Sequence, residues 1–238
     1  MSSFARTHPW VELPADVWHA DALATAPLRV VATGEAALDA QLPGGGWPVG
    51  ALTEVLQPAG VHSEWRLLLP ALARCGSASV VLVGPPYRPF APALAAQGLA
   101  TERLVWVTCT AATDCGWAAE QALRCSEVDA VLAWLPQVRS DTLRRLHMAA
   151  AEHSKLLFVM RPEQAQQHAS PASLRLWVAP HNQPHNQPLD QLQVRLLKRR
   201  GPPLDKPLQL WGQAAALTRC LAAAARYGNA LDCTAAHA

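Results

Sequence analysis

From Gly44 to Glu64 the chain reads GGGWPVGALTEVLQPAGVHSE. A GGG-x-P-x-G turn delivers the chain into a short apolar run, Ala51–Leu56, and Gly and Pro mark its start as a sharp change of direction. A run of that length reads as a buried strand. After a loop at Gln57–Ser63, Trp65, Leu68, Leu69 and Leu72 recur at helical spacing over Glu64–Arg74. A buried strand passing through a short loop into a helix is one half of a βαβ unit, and it restricts the chain to folds built on a mainly parallel sheet. The same alternation continues downstream. Val80–Val83, Leu104–Val107, Ala130–Leu135, Leu156–Met160 and Leu174–Ala179 read as strands, and Phe90–Gln97, Thr113–Arg124 and Asp141–His153 as helices, with Thr113 and Ser140 as candidate caps. Leu192–Lys198 and Leu208–Trp211 read as an antiparallel pair closing the sheet. The expected fold class is therefore α/β, a mainly parallel sheet flanked by helices with an antiparallel C-terminal edge.

The loop is the chemically informative part. A phosphate-binding loop of the form G-x-x-x-x-G-K-[ST] wraps phosphates with backbone N–H groups, reaches them with a lysine and holds Mg²⁺ with a hydroxyl. The corresponding positions here run from Gln57 through Pro58, Ala59, Gly60, Val61 and His62 to Ser63 and Glu64. Gln57 and His62 replace the glycines, which makes a positive-φ path harder to follow. Ser63 brings no charge in place of lysine. Glu64 sets a carboxylate at the helix start, where the helix dipole attracts a phosphate. The frame is kept and the phosphate grip is lost, so neither ATP hydrolysis nor a bound nucleotide cofactor is expected.

The 238 residues, half of them apolar, suffice for one large domain with small extensions. No apolar run reaches a membrane span, and the start MSSFARTHPW lacks a signal-peptide core, so a cytoplasmic protein is expected. Six cysteines show no C-x-x-C pair and read as reduced, buried thiols. His181 and His185 are separated by Pro184, which removes the helical face a metal pair needs, so no metal site is expected. The net charge of +2 does not by itself announce a nucleic-acid binder. Charge is nevertheless segregated. Residues 1–60 carry two arginines against six carboxylates, whereas residues 192–206 carry Arg195, Lys198, Arg199, Arg200 and Lys206 against Asp205 alone. This permits electrostatic pairing within the chain or with a partner, or two solvated faces.

The order of elements, the GGG-x-P-x-G turn and the basic strand QVRLLKRRG resemble a RecA core over roughly residues 28–212. Three passages resemble, more closely, the ImuA family of RecA-like proteins from bacterial mutagenesis cassettes, itself related to the division inhibitor SulA. They are VWHADAL at Val17–Leu23, ALDAQLPGGGWPVGALTE at Ala37–Glu54 and ALDCTAAHA at Ala230–Ala238. The middle run is fairly specific; the terminal ones inform only by their order around it. The resemblance implies an N-terminal extension over 1–28, a RecA-like core over 29–212 and a helical tail over 213–238. In RecA a glutamate after the second core strand activates water; here that stretch is Gly84, Pro85, Pro86 and Tyr87. The strand that should end in a Mg²⁺-orienting aspartate reads Ala130, Val131, Leu132, Ala133 and Trp134. Phosphoryl transfer rests on positioning and charge stabilisation, and every one of those groups is missing.

The resemblance further implies an accessory role in SOS-induced translesion DNA synthesis. The partners would be an ImuB-type inactive polymerase, an error-prone replicative-type DNA polymerase and RecA itself. Lys198 and Arg200 match RecA lysines that reach a neighbouring subunit's nucleotide, which makes Arg195, Lys198, Arg199 and Arg200 candidates for partner contact or weak DNA contact. Arg161, the only formal cation of the polar stretch 161–173, is a lesser DNA candidate. Trp10, Trp18 and Trp211 are candidate interface anchors, and Leu217 and Leu221 mark the tail as a candidate docking segment. Two rivals stay open at this stage: a SulA-like division inhibitor binding the tubulin-like ring protein, and an ATPase with an unconventional loop.

Overall fold

The computed structural model describes residues 29–181, 191–202, 204 and 206–211. Strand β1 (Val30–Val31) and strand β2 (Trp47–Pro48) form a small antiparallel pair, with helix α1 (Ala36–Asp39) between them. The GGG turn has two causes: Gly44 and Gly45 both take φ 79°, and Gly46 is crowded by the strand pair. A Cβ on Gly46 would run into the Val31 carbonyl, so no other residue fits there. The turn seats Trp47, which is fully buried edge-on against Phe158, ring centroids 5.4 Å apart.

The main sheet has eight strands in the order β10-β9-β8-β3-β7-β6-β4-β5. Its members are β3 (Ala51–Gln57), β4 (Ser79–Val83), β5 (Leu104–Val107), β6 (Val128–Trp134), β7 (Leu156–Pro162), β8 (Leu174–Pro180), β9 (Gln191–Lys198) and β10 (Leu208–Trp211). From β8 to β5 all pairings are parallel; β9 and β10 are antiparallel. The chain thus has a RecA-like α/β fold, with the antiparallel edge at the C-terminal side. Helices α2 (Glu64–Leu72) and α3 (Ala91–Ala96) cover one face, with Leu68, Leu72 and Leu94 packed on Val55, Val80 and Phe158. Helices α4 (Ala112–Arg124) and α5 (Ser140–His153) cover the other, where Leu123, Leu143 and Leu146 meet Leu52, Val131 and Val159. Both faces being covered explains why these strands read as continuous apolar runs rather than alternating ones.

Several local expectations are corrected. Helix α2 ends at Leu72 rather than Arg74: Ala73 N–H still bonds the Leu69 carbonyl, but Arg74 N–H bonds the nearer Ala71 carbonyl, which closes the helix in a tight turn. Thr113 and Ser140 do not cap: α4 and α5 start one residue earlier, after Ala111 and Arg139, and neither start has a side-chain cap. The Thr113 hydroxyl bonds Asp114 instead. Cys109 and Cys115 pair as a disulfide that ties the end of β5 to the first turn of α4, against the expectation of reduced thiols throughout. Their Cα atoms lie 5.5 Å apart across a sequence separation of 6. Cys125 is exposed rather than buried and Cys75 half-buried.

Candidate functional site

Strand β3 lies between β7 and β8 at the centre of the sheet, and its carboxyl end opens into the loop. In open α/β sheets that end is where ligands bind. Val61 N–H bonds the Pro58 carbonyl at 3.1 Å, closing a turn with Gly60 at φ 74°. Glycine is needed here and nowhere else in the loop, since Ser154 is the only non-glycine with positive φ among the described residues.

The loop is closed on itself by its own side chains. Gln57 Oε1 accepts the Ser63 N–H at 2.8 Å, and Gln57 Nε2 donates to Glu64 Oε2 at 3.0 Å. Glu64 Oε1 accepts from Trp134 Nε1 at 3.3 Å, and His62 Nδ1 stands 3.7 Å away. Gln57, Ser63 and Glu64 are all buried. A carboxylate at the first residue of α2 is the charge the helix dipole favours, so Glu64 takes the electrostatic place that an incoming phosphate would claim. His62 faces outward and packs edge-on against Tyr87, centroids 4.9 Å apart, and Tyr87 is itself 68% exposed. A cavity of about 260 Å³ remains beside the loop, walled by Pro58, Pro86, Pro136, Pro162, Trp134 and Met160.

Arg161 also lies near this end, but not as a DNA contact. It is the sixth residue of β7 rather than part of a loop, and is 6% exposed. Its Nη1 bonds Glu54 Oε1 at 2.9 Å, while Arg175 Nε bonds the other oxygen of Glu54 at 2.6 Å. Arg175 continues to the carbonyls of Ala165 and His168, which pins the short 3-10 helix Glu163–Gln167 over the sheet. The guanidinium of Arg161 is spent on a fully buried carboxylate, which removes it from the DNA-binding candidates. Glu54, one of the six carboxylates of residues 1–60, is likewise taken up by these two arginines rather than by the basic strand.

The basic strand runs away from this end, so that Arg199 and Arg200, just past it, reach the opposite end of the sheet. Lys198 ends β9 across from Arg175, near the amino ends of β8 and β3. Lys198 Nζ donates to the Ser170 carbonyl at 3.1 Å; Arg199 donates to the carbonyls of Pro202 and Gln41. Arg195 stacks on Trp177 at 4.6 Å from the ring centroid. Arg195, Lys198 and Arg200 are exposed, and none of the four is within salt-bridge distance of a carboxylate among the described residues. Helix α5 adds His147 at this end. Its Nδ1 accepts the Leu52 N–H at 3.1 Å, and burial, then Lys198 and Arg200, hold its pKa below the usual imidazole range.

The structure therefore groups Gln57, Gly60, His62, Ser63 and Glu64 at the carboxyl end of β3 and Arg199 and Arg200 at the amino end, whereas Arg195 pairs with Trp177 at the level of Leu56. Trp10, Trp18, Leu217 and Leu221 lie outside the described residues, as do the extension 1–28, residues 182–190 with His185, and the tail 213–238; of Trp211 the backbone alone is described. Trp134, Arg175, Trp177 and His147 escaped the sequence reading. Only Trp134 carried a signal, an aromatic at the end of a strand expected to end in an acid. Among the described residues no group of three or more His, Cys, Asp or Glu could hold a metal ion, and no helix is long and apolar enough to cross a membrane. No known protein-family model matches the sequence, and no curated protein matches it.

Proposed function

We propose that this chain is a non-catalytic RecA-like accessory protein of SOS-induced translesion DNA synthesis, of the ImuA kind, working in the cytoplasm. The observation that carries the first half is the self-closed loop. A nucleotide would have to break the Gln57–Ser63 and Gln57–Glu64 hydrogen bonds and approach a buried carboxylate without a lysine to offset it. Charge-assisted hydrogen bonds of this sort are roughly twice as strong as neutral ones, so the displacement is unfavourable. The role itself rests on the sequence resemblance, supported by a RecA-like sheet whose basic strand has no carboxylate partner among the described residues.

A protomer that keeps the RecA-like sheet and its basic strand, without a phosphate grip, is suited to contact a RecA subunit from one side. Its other partners on this reading are an ImuB-type inactive polymerase and an error-prone replicative-type DNA polymerase. Two measurements test the proposal. Calorimetry with ATP and Mg²⁺ should show no binding tighter than about 10 μM, near −7 kcal/mol. Co-purification should recover the ImuB-type protein and not the tubulin-like ring protein; the reverse pattern replaces the reading with a SulA-like one.

A further inference from the structure

A second cavity, of about 280 Å³, opens at the amino ends of β3 and β8, at the far end of the sheet from the closed loop. Its walls include Gly50, Ser173, His147, Arg199 and Arg200. Among the described residues no carboxylate lines it. The donor chemistry is one-sided. His147 Nδ1 is occupied as an acceptor of the Leu52 N–H, so the neutral ring carries its proton on Nε2 and presents a donor. Arg199 is fixed in place by the carbonyls of Pro202 and Gln41, which are neutral, and no carboxylate pairs with it among the described residues. Arg200 has no hydrogen-bond or ion-pair partner among the described residues, and Lys198 is close enough to act on the same imidazole.

We propose that this pocket binds a phosphate group, held between Arg199, Arg200 and His147, with the Ser173 hydroxyl as a further donor. Planar guanidinium forks match phosphate geometry, and a fixed imidazole N–H adds a directed donor. The cavity is larger than one phosphate, which suits a phosphomonoester with a small organic group. This does not depend on the translesion reading, since the pocket is distinct from the closed loop and belongs to one chain alone.

The test uses the full-length chain and three probes followed by NMR: inorganic phosphate, thymidine 5′-monophosphate and a short single-stranded oligonucleotide without a terminal phosphate. Phosphate should bind saturably with a dissociation constant of about 1 mM or below, and the monophosphate should compete with it. Arg200→Ala, at an exposed position, should weaken both by at least about fivefold with an unchanged melting temperature. His147→Asn, which keeps an acceptor for Leu52 N–H, should weaken both as well. Phosphate shifts that fail to saturate, or that survive in Arg200→Ala, overturn the proposal. So does oligonucleotide binding that free phosphate cannot displace, which would make the cluster a track for strand phosphates.

Discussion

Gln57 and Glu64 stand at the two ends of the same loop, and their side chains meet at 3.0 Å inside the protein. Gln57 thereby satisfies a loop amide and a buried carboxylate at once. Substituting Gln57 by Ala leaves both without that partner. An unsatisfied buried group costs about 1–3 kcal/mol, and Gln57→Ala should lose stability in that range on urea denaturation. A loss near zero would mean that water replaces the amide and the loop is open.

The same pair sets the outcome of restoring the phosphate grip. Ser63→Lys with Glu64→Thr removes the buried carboxylate and supplies the cation, yet Gln57 and His62 still occupy the glycine positions. ATP binding by calorimetry should improve only slightly in the double variant. Adding Gln57→Gly and His62→Gly should improve it further, since the side-chain lock and the bulk are then both gone. Tight binding by the double variant alone would show that Gln57 is no obstacle.

Glu54 lies fully buried between Arg161 and Arg175. Replacing it by Ala strands two buried guanidiniums, and breaking a buried pair in this way costs about 3–5 kcal/mol. Glu54→Ala should therefore be among the most damaging single changes, visible as a large fall in the denaturation midpoint. A mild effect would mean that the arginines swing out to solvent.

Charge reversal on the basic strand should behave oppositely. Lys198 and Arg200 are exposed and have no carboxylate partner among the described residues. Lys198→Glu with Arg200→Glu should keep stability within about 1 kcal/mol. It should weaken binding to RecA filaments or DNA, with the loss shrinking as salt rises. Equal binding by variant and parent at low salt removes the strand from the functional surface.

The contrast between Glu54 and Lys198 shows what the sequence could convey. Apolar runs such as Val80–Val83 and Leu156–Met160 announced a buried parallel sheet, because burial on both faces leaves no polar alternation. The lost phosphate grip was legible too, since it is a matter of residue type at fixed spacing. What Gln57 and Glu64 do instead was not, because their contact depends on side-chain direction in a folded loop. Arg161 misled for the same reason. Next to Pro162 and Glu163 it read as the start of a polar loop, and only the register placing Leu56 opposite it brings its guanidinium to Glu54. His147 gave no signal, as its partner is a backbone amide far away in sequence.

His147 also sets a pH dependence. Its folded pKa lies below the ordinary imidazole value of about 6.5, first because burial penalises the charged ring, then because Lys198 and Arg200 repel it. A depressed pKa means that the unfolded chain takes up a proton that the folded chain refuses. The stabilising contribution is then full above about pH 6.5 and is lost as pH falls through the folded value. In phosphate-free buffer, the stability advantage of the parent over His147→Asn should shrink between about pH 7.5 and 5.5. Replacing Lys198 and Arg200 by Gln should bring the His147 pKa back toward its ordinary value, read directly from its imidazole NMR titration. A titration unmoved by those replacements would assign the depression to burial alone and set the basic strand apart from this ring.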